Sequence, residues 1–486
     1  METKNLKTFF MMIFFFAVLG ASFVSAQPDR SKVPDLPPPP KLNLPEIQEF
    51  ELTNGLKVYL MEKDEVPLVQ MNLIVKTGIV DDPEDKTGLA SITLDMLDEG
   101  AASKDALELA DEIDFLGAEI NTRAGLHTSK ISLFTPRSKF EKALDLFSDI
   151  LLEPSFPQKE LDRIKKERIT SIMQMHDEPN AIASALFNKT LFGEENPYGK
   201  QSIGNQNTIQ SFSAEDLQNF YNKNFNSGNA FVIVVGDVNK ESLQQKLEAE
   251  LGSWKKGNVE QTELGETPQV AERKIYLVDK PGSAQSVIRI GRLGVERKTE
   301  DYYPLLVLNT ILGGSFTSRL NQNLREEHGY TYGAGSYFDF RPAPGPFFAY
   351  SSVQTEVTDS ALIEFFRELN GIIKPVPEEE LSRAKNYVAL RFPGNFQTVE
   401  EVAGQLEELV VYDLPEDYFE SYVTDILSVS GEDVSRAAEK YIDPEKSIIV
   451  IVGDREKIED GIKKLNLGEV INYSVEDVLG ALPEVN

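Results

Sequence analysis

The chain has 486 residues and no cysteine, and its 79 acidic against 49 basic side chains leave a formal charge of −30. That length holds two or three domains with full cores. The charge disfavours nucleic-acid and anionic-lipid partners, and the missing cysteine excludes disulfides and thiolate metal sites.

Residues 1–26 read as a secretory signal: Lys4 and Lys7, an apolar run, then the small-residue cleavage site Val24-Ser25-Ala26. The run falls short of the ~20 residues a bilayer span needs. Cleavage is therefore expected, giving an exported chain in a periplasm or outside the cell, with a charge of about −31. No later segment is apolar enough to span a bilayer. Residues 27–46, QPDRSKVPDLPPPPKLNLPE, form a Pro-rich linker with little capacity for helix or sheet. Order is expected from a hairpin onward, where Phe50 and Leu52 precede the turn Asn54-Gly55 and Leu56, Val58 and Leu60 alternate after it. A second strand covers residues 69–75. Helical spacing then places Leu109, Ile113 and Leu116 on one face, stopped by Gly117, and Phe140, Leu144, Phe147 and Leu151 on another.

The chain repeats itself. SAEDLQNFYNKNF leading to FVIVVGD is echoed by SGEDVSRAAEKYI leading to IIVIVGD, so that Gly236-Asp237 recurs as Gly453-Asp454, 217 positions on. Pro157, Glu160, Leu161 and Arg163 recur as Pro377, Glu380, Leu381 and Arg383, 220 positions on. Two blocks at nearly constant offset predict two similar α+β domains. They cover residues 47–256 and 273–470, joined by the polar linker 257–272 and followed by a tail, 471–486.

The stretch LNQNLREEHGYTYG, residues 320–333, carries the chemistry. Leu320 and Leu324 share a helix face, Gly329 suits a helix stop, and a strand-like run follows over residues 330–340. Arg325 and Tyr332 are thereby hydrogen-bond donors at a helix-to-strand corner. Neither is a nucleophile or a neutral-pH base, so the pair suits a peptide carbonyl or a developing oxyanion. Tyr330 competes with Tyr332 for that role. Gly313-Gly314-Ser315 lacks the Lys-Ser/Thr of a phosphate loop.

Residues 309–338 resemble the second half of the pitrilysin/insulinase metallopeptidases, in particular the branch like the mitochondrial processing peptidase. So do DKPGSAQSVIRIG (279–291), NPYGKQSIG (196–204) and NAFVIVVGDV (229–238), and the likeness spans residues 46–465. The resemblance implies two homologous domains, each an antiparallel-rich sheet packed with helices on one side, facing across a chamber. It also implies that Arg325 and Tyr332 contact substrate, the family's spacing of seven favouring Tyr332 over Tyr330. Active members hold zinc through H-x-x-E-H on a first-domain helix. In residues 88–100, GLASITLDMLDEG, the matching positions are Ser91, Leu94 and Asp95. The family's third ligand, a Glu, falls near Thr170 or Ser171, with Glu167 the nearest carboxylate. His127, His176 and His328 have no ligand spacing, and Ser91 with Asp95 cannot hold zinc.

The chain is therefore expected to hold no metal or other cofactor and to cleave nothing alone. The resemblance implies a heterodimer in which a zinc-motif subunit of the same family carries the metal and this chain helps bind a peptide or unfolded protein. The alternative is a non-proteolytic scaffold of the same fold. Independent hydrolysis through Ser91 fails for want of a paired base.

Overall fold

The computed structural model describes residues 42–483. The expected signal, residues 1–26, and most of the Pro-rich linker lie outside them.

Two six-stranded sheets organise the molecule. The strands, in chain order, are β1 (Gln48–Glu51), β2 (Lys57–Glu62), β3 (Leu68–Val75), a short hairpin of β4 (Gly100–Ala101) and β5 (Lys104–Asp105), β6 (Glu119–Ala124), β7 (Ser129–Pro136) and β8 (Ala230–Gly236) in the first half. The second half has β9 (Lys274–Asp279), β10 (Gln285–Leu293), β11 (Thr331–Phe338), β12 (Pro346–Gln354), β13 (Ile448–Gly453) and β14 (Glu469–Tyr473). The first sheet runs β1-β2-β8-β3-β7-β6 and the second β14-β9-β13-β10-β12-β11. Both have one internal parallel pair, β2 with β8 and β9 with β13, flanked by an antiparallel ladder from β8 to β3 and from β13 to β10. Lys57 pairs with Phe231 and Lys274 with Ile448, so the repeat extends to strand register. The sheets differ at one edge. There β1 pairs antiparallel to its neighbour from the chain's start, whereas β14 pairs parallel from its end.

The hairpin at Asn54-Gly55 forms as its sequence dictates: Gly55 takes φ +84°, which its missing Cβ permits. The strands β8 and β13 are apolar at every position and buried on both faces. Such strands need a cover on each side. One cover comes from the half's own helices, such as Phe140–Leu152 in the first half and Thr358–Gly371 in the second. The other is exchanged. Val399, Val402, Ala403 and Leu406, on the second-half helix Val399–Val411, share a core with Ile74, Phe231, Ile233 and Val235 of the first sheet. Reciprocally, Ile182, Leu186 and Phe187 on the first-half helix Pro179–Phe192 pack on Val287, Val450 and Val452 of the second sheet. Each fully buried side chain of this kind contributes about 1.5–3 kcal/mol, so the exchange joins the halves strongly. Lys130 on β7 adds an ion pair to Glu407 at 3.2 Å.

Two stretches differ from expectation. The segment 257–272 has no regular structure, as read from its polarity, but it is tied down: Gln261 donates to Asn229 and Thr262 to Asp81. Residues 471–483 are no loose tail. They finish β14 and form the helix Val475–Leu479, whose Val475, Val478 and Leu479 join the core under the exchanged helix Pro179–Phe192. Among the described residues no helix is long and apolar enough to cross a membrane.

Candidate functional site

Two corners carry the candidate residues, one in each half. In the first, the helix expected over residues 88–100 is only two turns, Leu89–Asp95, capped at Met96, because the chain turns there into the β4–β5 hairpin. Gly88 precedes it at φ +96°, where a Cβ would lie 2.8 Å from the Ile203 carbonyl. The Asp82 carboxylate accepts from the Gly88 and Ala90 N–H groups, each at 2.7 Å, and holds the helix start. Burial raises its pKa to about 7.

Ser91 and Asp95 do come together, one turn apart, but around a cation supplied by the protein itself. Arg168, only 6% exposed, donates from Nη2 to Ser91 Oγ and to Asp95 Oδ2, both at 2.6 Å, and from Nη1 to the Ile203 carbonyl at 3.1 Å. Leu94, at the position of the family's catalytic Glu, is fully buried in the first core. The residues at the expected third ligand are committed elsewhere. Glu167 pairs with Arg163 at 2.7 Å, while Thr170 and Ser171 donate to carbonyls one turn back in their own helix. A fixed guanidinium repels a divalent ion, and Ser91, Leu94 and Asp95 supply one carboxylate where zinc needs three or four donors. The zinc of active members does not fit here. No group of three or more His, Asp or Glu side chains poised for a metal exists among the described residues. The open cleft beside this corner, about 600 Å³, is lined by Asp98, Glu99, Asn121 and Glu167 among others. Burial, and then Glu99 and Asp95, raise the Asp98 pKa to about 6.

Sequence reasoning missed Arg168, although a signal was present. Ile164, Arg168 and Ile172 are spaced by four on the helix Gln158–Met175 and all three are buried. An arginine on an apolar stripe needs an internal partner.

The second corner is built as its sequence implies, with one surprise. Leu320 and Leu324 are fully buried and Gly329 ends the helix at φ +67°. Between them, Gln322–Glu327 is π-helical, with the His328 N–H bonding back to the Asn323 carbonyl and Tyr330 N–H to that of Leu324. A π turn widens the helix by one residue, a geometry often found at functional sites. Asn323 anchors it, donating to Glu364 at 2.8 Å and Glu368 at 2.7 Å. Gly313 and Gly314 are structural here: a Cβ on Gly313 would lie 2.1 Å from the Ser336 N–H nitrogen of β11.

Arg325 and Tyr332 are left uncommitted. The Arg325 guanidinium lies 4.6 Å over the exposed Phe316 ring, and its carboxylate contact is a 3.4 Å pair with neighbouring Glu326. Tyr332 is 92% exposed at the irregular start of the edge strand β11, where the ladder to β12 slips between Thr331 and Ala334. No hydrogen bond joins Arg325 to Tyr332 among the described residues. Tyr330 is different: half-buried, it stacks on His328 with ring centres 4.9 Å apart. Of the two tyrosines, Tyr332 is the fully exposed one. The other histidines serve the fold. His127 Nε2 meets Tyr198 Oη, and burial lowers its pKa to about 4; His176 bridges the carbonyls of Ile172 and Gly480.

Comparison with known proteins bears on the family. Residues 57–201 match the insulinase (peptidase family M16) model and residues 211–388 match the peptidase M16 inactive domain. An uncharacterized zinc protease of Rickettsia felis is 26% identical over 360 residues, 74% of this chain and 85% of that protein. A Helicobacter pylori protein named a non-peptidase homolog is 20% identical over 81% of this chain and 90% of its own length. The crystal structure of a peptidase M16 inactive domain from Pseudomonas fluorescens superposes with a TM-score of 0.79 at 28% identity, covering 84% of this chain and 98% of that one. The chain belongs to the M16, or insulinase, peptidase family as a non-catalytic member, its zinc corner occupied by an arginine.

Proposed function

We propose that this chain is the exported, non-catalytic subunit of a two-chain zinc metallopeptidase. A family partner bearing the zinc motif supplies the metal, and this chain supplies Arg325 and Tyr332 to the peptide being cut. The observation that carries this reading is the state of the second corner, where the Tyr332 phenol is exposed and the Arg325 guanidinium meets only the surface groups Glu326 and Phe316. In the transition state both would donate to the carbonyl oxygen as it gains charge, which is where such donors act most. Export rests on the amino-terminal 26 residues, and the partner's zinc on the loss of the motif here.

The test mixes the purified chain with a zinc-motif subunit of the same family and follows hydrolysis of an unfolded peptide. The mixture should be active, the activity should vanish with a chelator, and this chain alone should cleave nothing. Tyr332→Phe should lower turnover about 10²–10³-fold without affecting assembly, while Tyr330→Phe should be nearly silent. A partner equally active alone, or a Tyr332→Phe complex with full turnover, would instead make this chain a scaffold.

A further inference from the structure

In the described part of this acidic chain, the well-buried arginines have carboxylate partners: Arg168 with Asp95, Arg292 with Asp443, Arg297 with Glu408 and Arg341 with Asp339. Arg289 breaks the pattern. It sits mid-strand on β10, half-buried, with no Asp or Glu oxygen within 4 Å among the described residues, and its buried Nε has no hydrogen-bond partner. Its guanidinium lies 5.0 Å over the Phe348 ring. A cation–π contact replaces only part of the hydration a buried guanidinium gives up.

The surface beside Arg289 is aromatic. Arg289 on β10, Tyr350 on β12 and Gly335 on β11 are register partners in one row across three strands, so they share the outer face of the second sheet. On one side that face is covered by the exchanged helix, where Phe187 packs on Phe348. On the other side Tyr350 and Tyr337 are exposed, and Gly335 lies buried beneath the Tyr350 phenol. A Cβ at Gly335 would come within 3.1 Å of Tyr350 Oη. The result is an aromatic floor with a single unpaired cation at its inner end.

We propose that Arg289 anchors a binding site for one carboxylate of a peptide lying against the exposed Tyr337 and Tyr350. The planar guanidinium suits bidentate pairing with a carboxylate. With 79 acidic side chains the surface at large repels polyanions, so the fitting ligand carries one carboxylate on an otherwise neutral, apolar chain. A peptide's C-terminus meets that description. The site requires no partner subunit and is independent of the trans-acting role of Arg325 and Tyr332.

Calorimetric titration of the purified full chain with the N-acetylated tetrapeptide Ala-Ala-Phe-Ala tests this, using its free acid, its C-terminal amide, and an amide in which the second Ala is Glu. The free acid should bind about ten- to a hundredfold more tightly than the amide, the range for a hydrogen bond to a charged group. In Arg289→Gln that difference should disappear. Arg289→Lys, which keeps the charge and loses the fork, should retain a reduced preference for the acid, and it carries the test if the Gln variant does not fold. Binding of the Glu-bearing amide like the free acid would widen the ligand to any single carboxylate; binding like the plain amide would restrict it to chain ends. Equal binding of acid and amide by the wild type, or an acid preference undiminished in Arg289→Gln, would overturn the proposal.

Discussion

The two halves share strand order, parallel pair and register, yet their polar corners have opposite fates. In the first half Arg168 is buried and spends both terminal nitrogens on Ser91, Asp95 and the Ile203 carbonyl, so the corner is closed around it. In the second, Tyr332 faces solvent and the half-buried Arg325 meets only surface groups, Glu326 and the exposed Phe316 ring. The same scaffold thus supports a corner that has become part of the core and one left at the surface. A closed corner should matter to stability and an open one to binding, and that difference can be measured.

The largest expected effect concerns what the halves share. Phe187 is fully buried in a first-half helix but packs on the second sheet, and Leu406 does the reverse. Phe187→Ala should cost about 3–5 kcal/mol and Leu406→Ala about 2–5, measured by urea denaturation. Because the exchange couples the halves, unfolding followed by Trp254, the only tryptophan and a member of the first core, should coincide with that followed by far-UV circular dichroism. Separate transitions in Phe187→Ala would show that the halves unfold independently.

Next comes the closed corner. Arg168→Ala removes the cation and leaves Ser91, Asp95 and a carbonyl without their donor. Breaking a buried pair costs about 3–5 kcal/mol, but Asp95 is half exposed and can hydrate, so about 2–3 is expected. Arg168→Met, which keeps the stem, should recover part of it. Neither variant should retain zinc after dialysis, because emptying the position supplies no ligand; about one equivalent by elemental analysis would contradict this.

A smaller effect sits at the junction of the halves, where His127 meets Tyr198 from the first half and Arg341 from the second lies 4.4 Å over the Tyr198 ring. Burial first, then the Arg341 charge, lowers the His127 pKa to about 4, against the pull of Asp81. Between about pH 4 and 6.5 the unfolded chain therefore holds more protons at this residue than the folded one, so its contribution favours folding increasingly as pH rises through that window. In His127→Gln the dependence of stability on pH over that window should be shallower than in the wild type. Superimposable profiles would mean that the histidine is not held neutral.

Much of this was legible in the sequence, and the parts that were not share a cause. The duplication, the Asn54-Gly55 hairpin, the Leu320/Leu324 face, the stop at Gly329 and the loss of the zinc ligands follow from local pattern and spacing. The apolar face of residues 179–192 shows that the helix is buried but not which sheet it covers, since both sheets offer similar Val- and Ile-rich faces. The π turn is likewise a choice made by packing, with Asn323 held between Glu364 and Glu368. Arg168 was readable as an arginine out of place, but its side-chain partners, Ser91 and Asp95, are more than 70 residues away. Each of these depends on contacts between segments distant in the chain.

The smallest expected change is the most discriminating. Tyr332→Phe deletes a hydroxyl from a side chain 92% exposed, and Arg325→Met deletes a charge whose carboxylate contact is a 3.4 Å surface pair. Exposed pairs are worth at most about 1 kcal/mol and surface substitutions usually stay within about ±0.5. The unfolding free energy of Tyr332→Phe should match the wild type within about 0.5 kcal/mol, and that of Arg325→Met should fall by no more than about 1. Arg168→Ala, by contrast, should be visibly weakened in the same denaturant series. A corner that the fold does not need, yet whose loss abolishes turnover in the two-chain complex, is one kept for substrate. If Tyr332→Phe destabilises the chain as much as Arg168→Ala does, the second corner is as structural as the first and the contrast between the halves disappears.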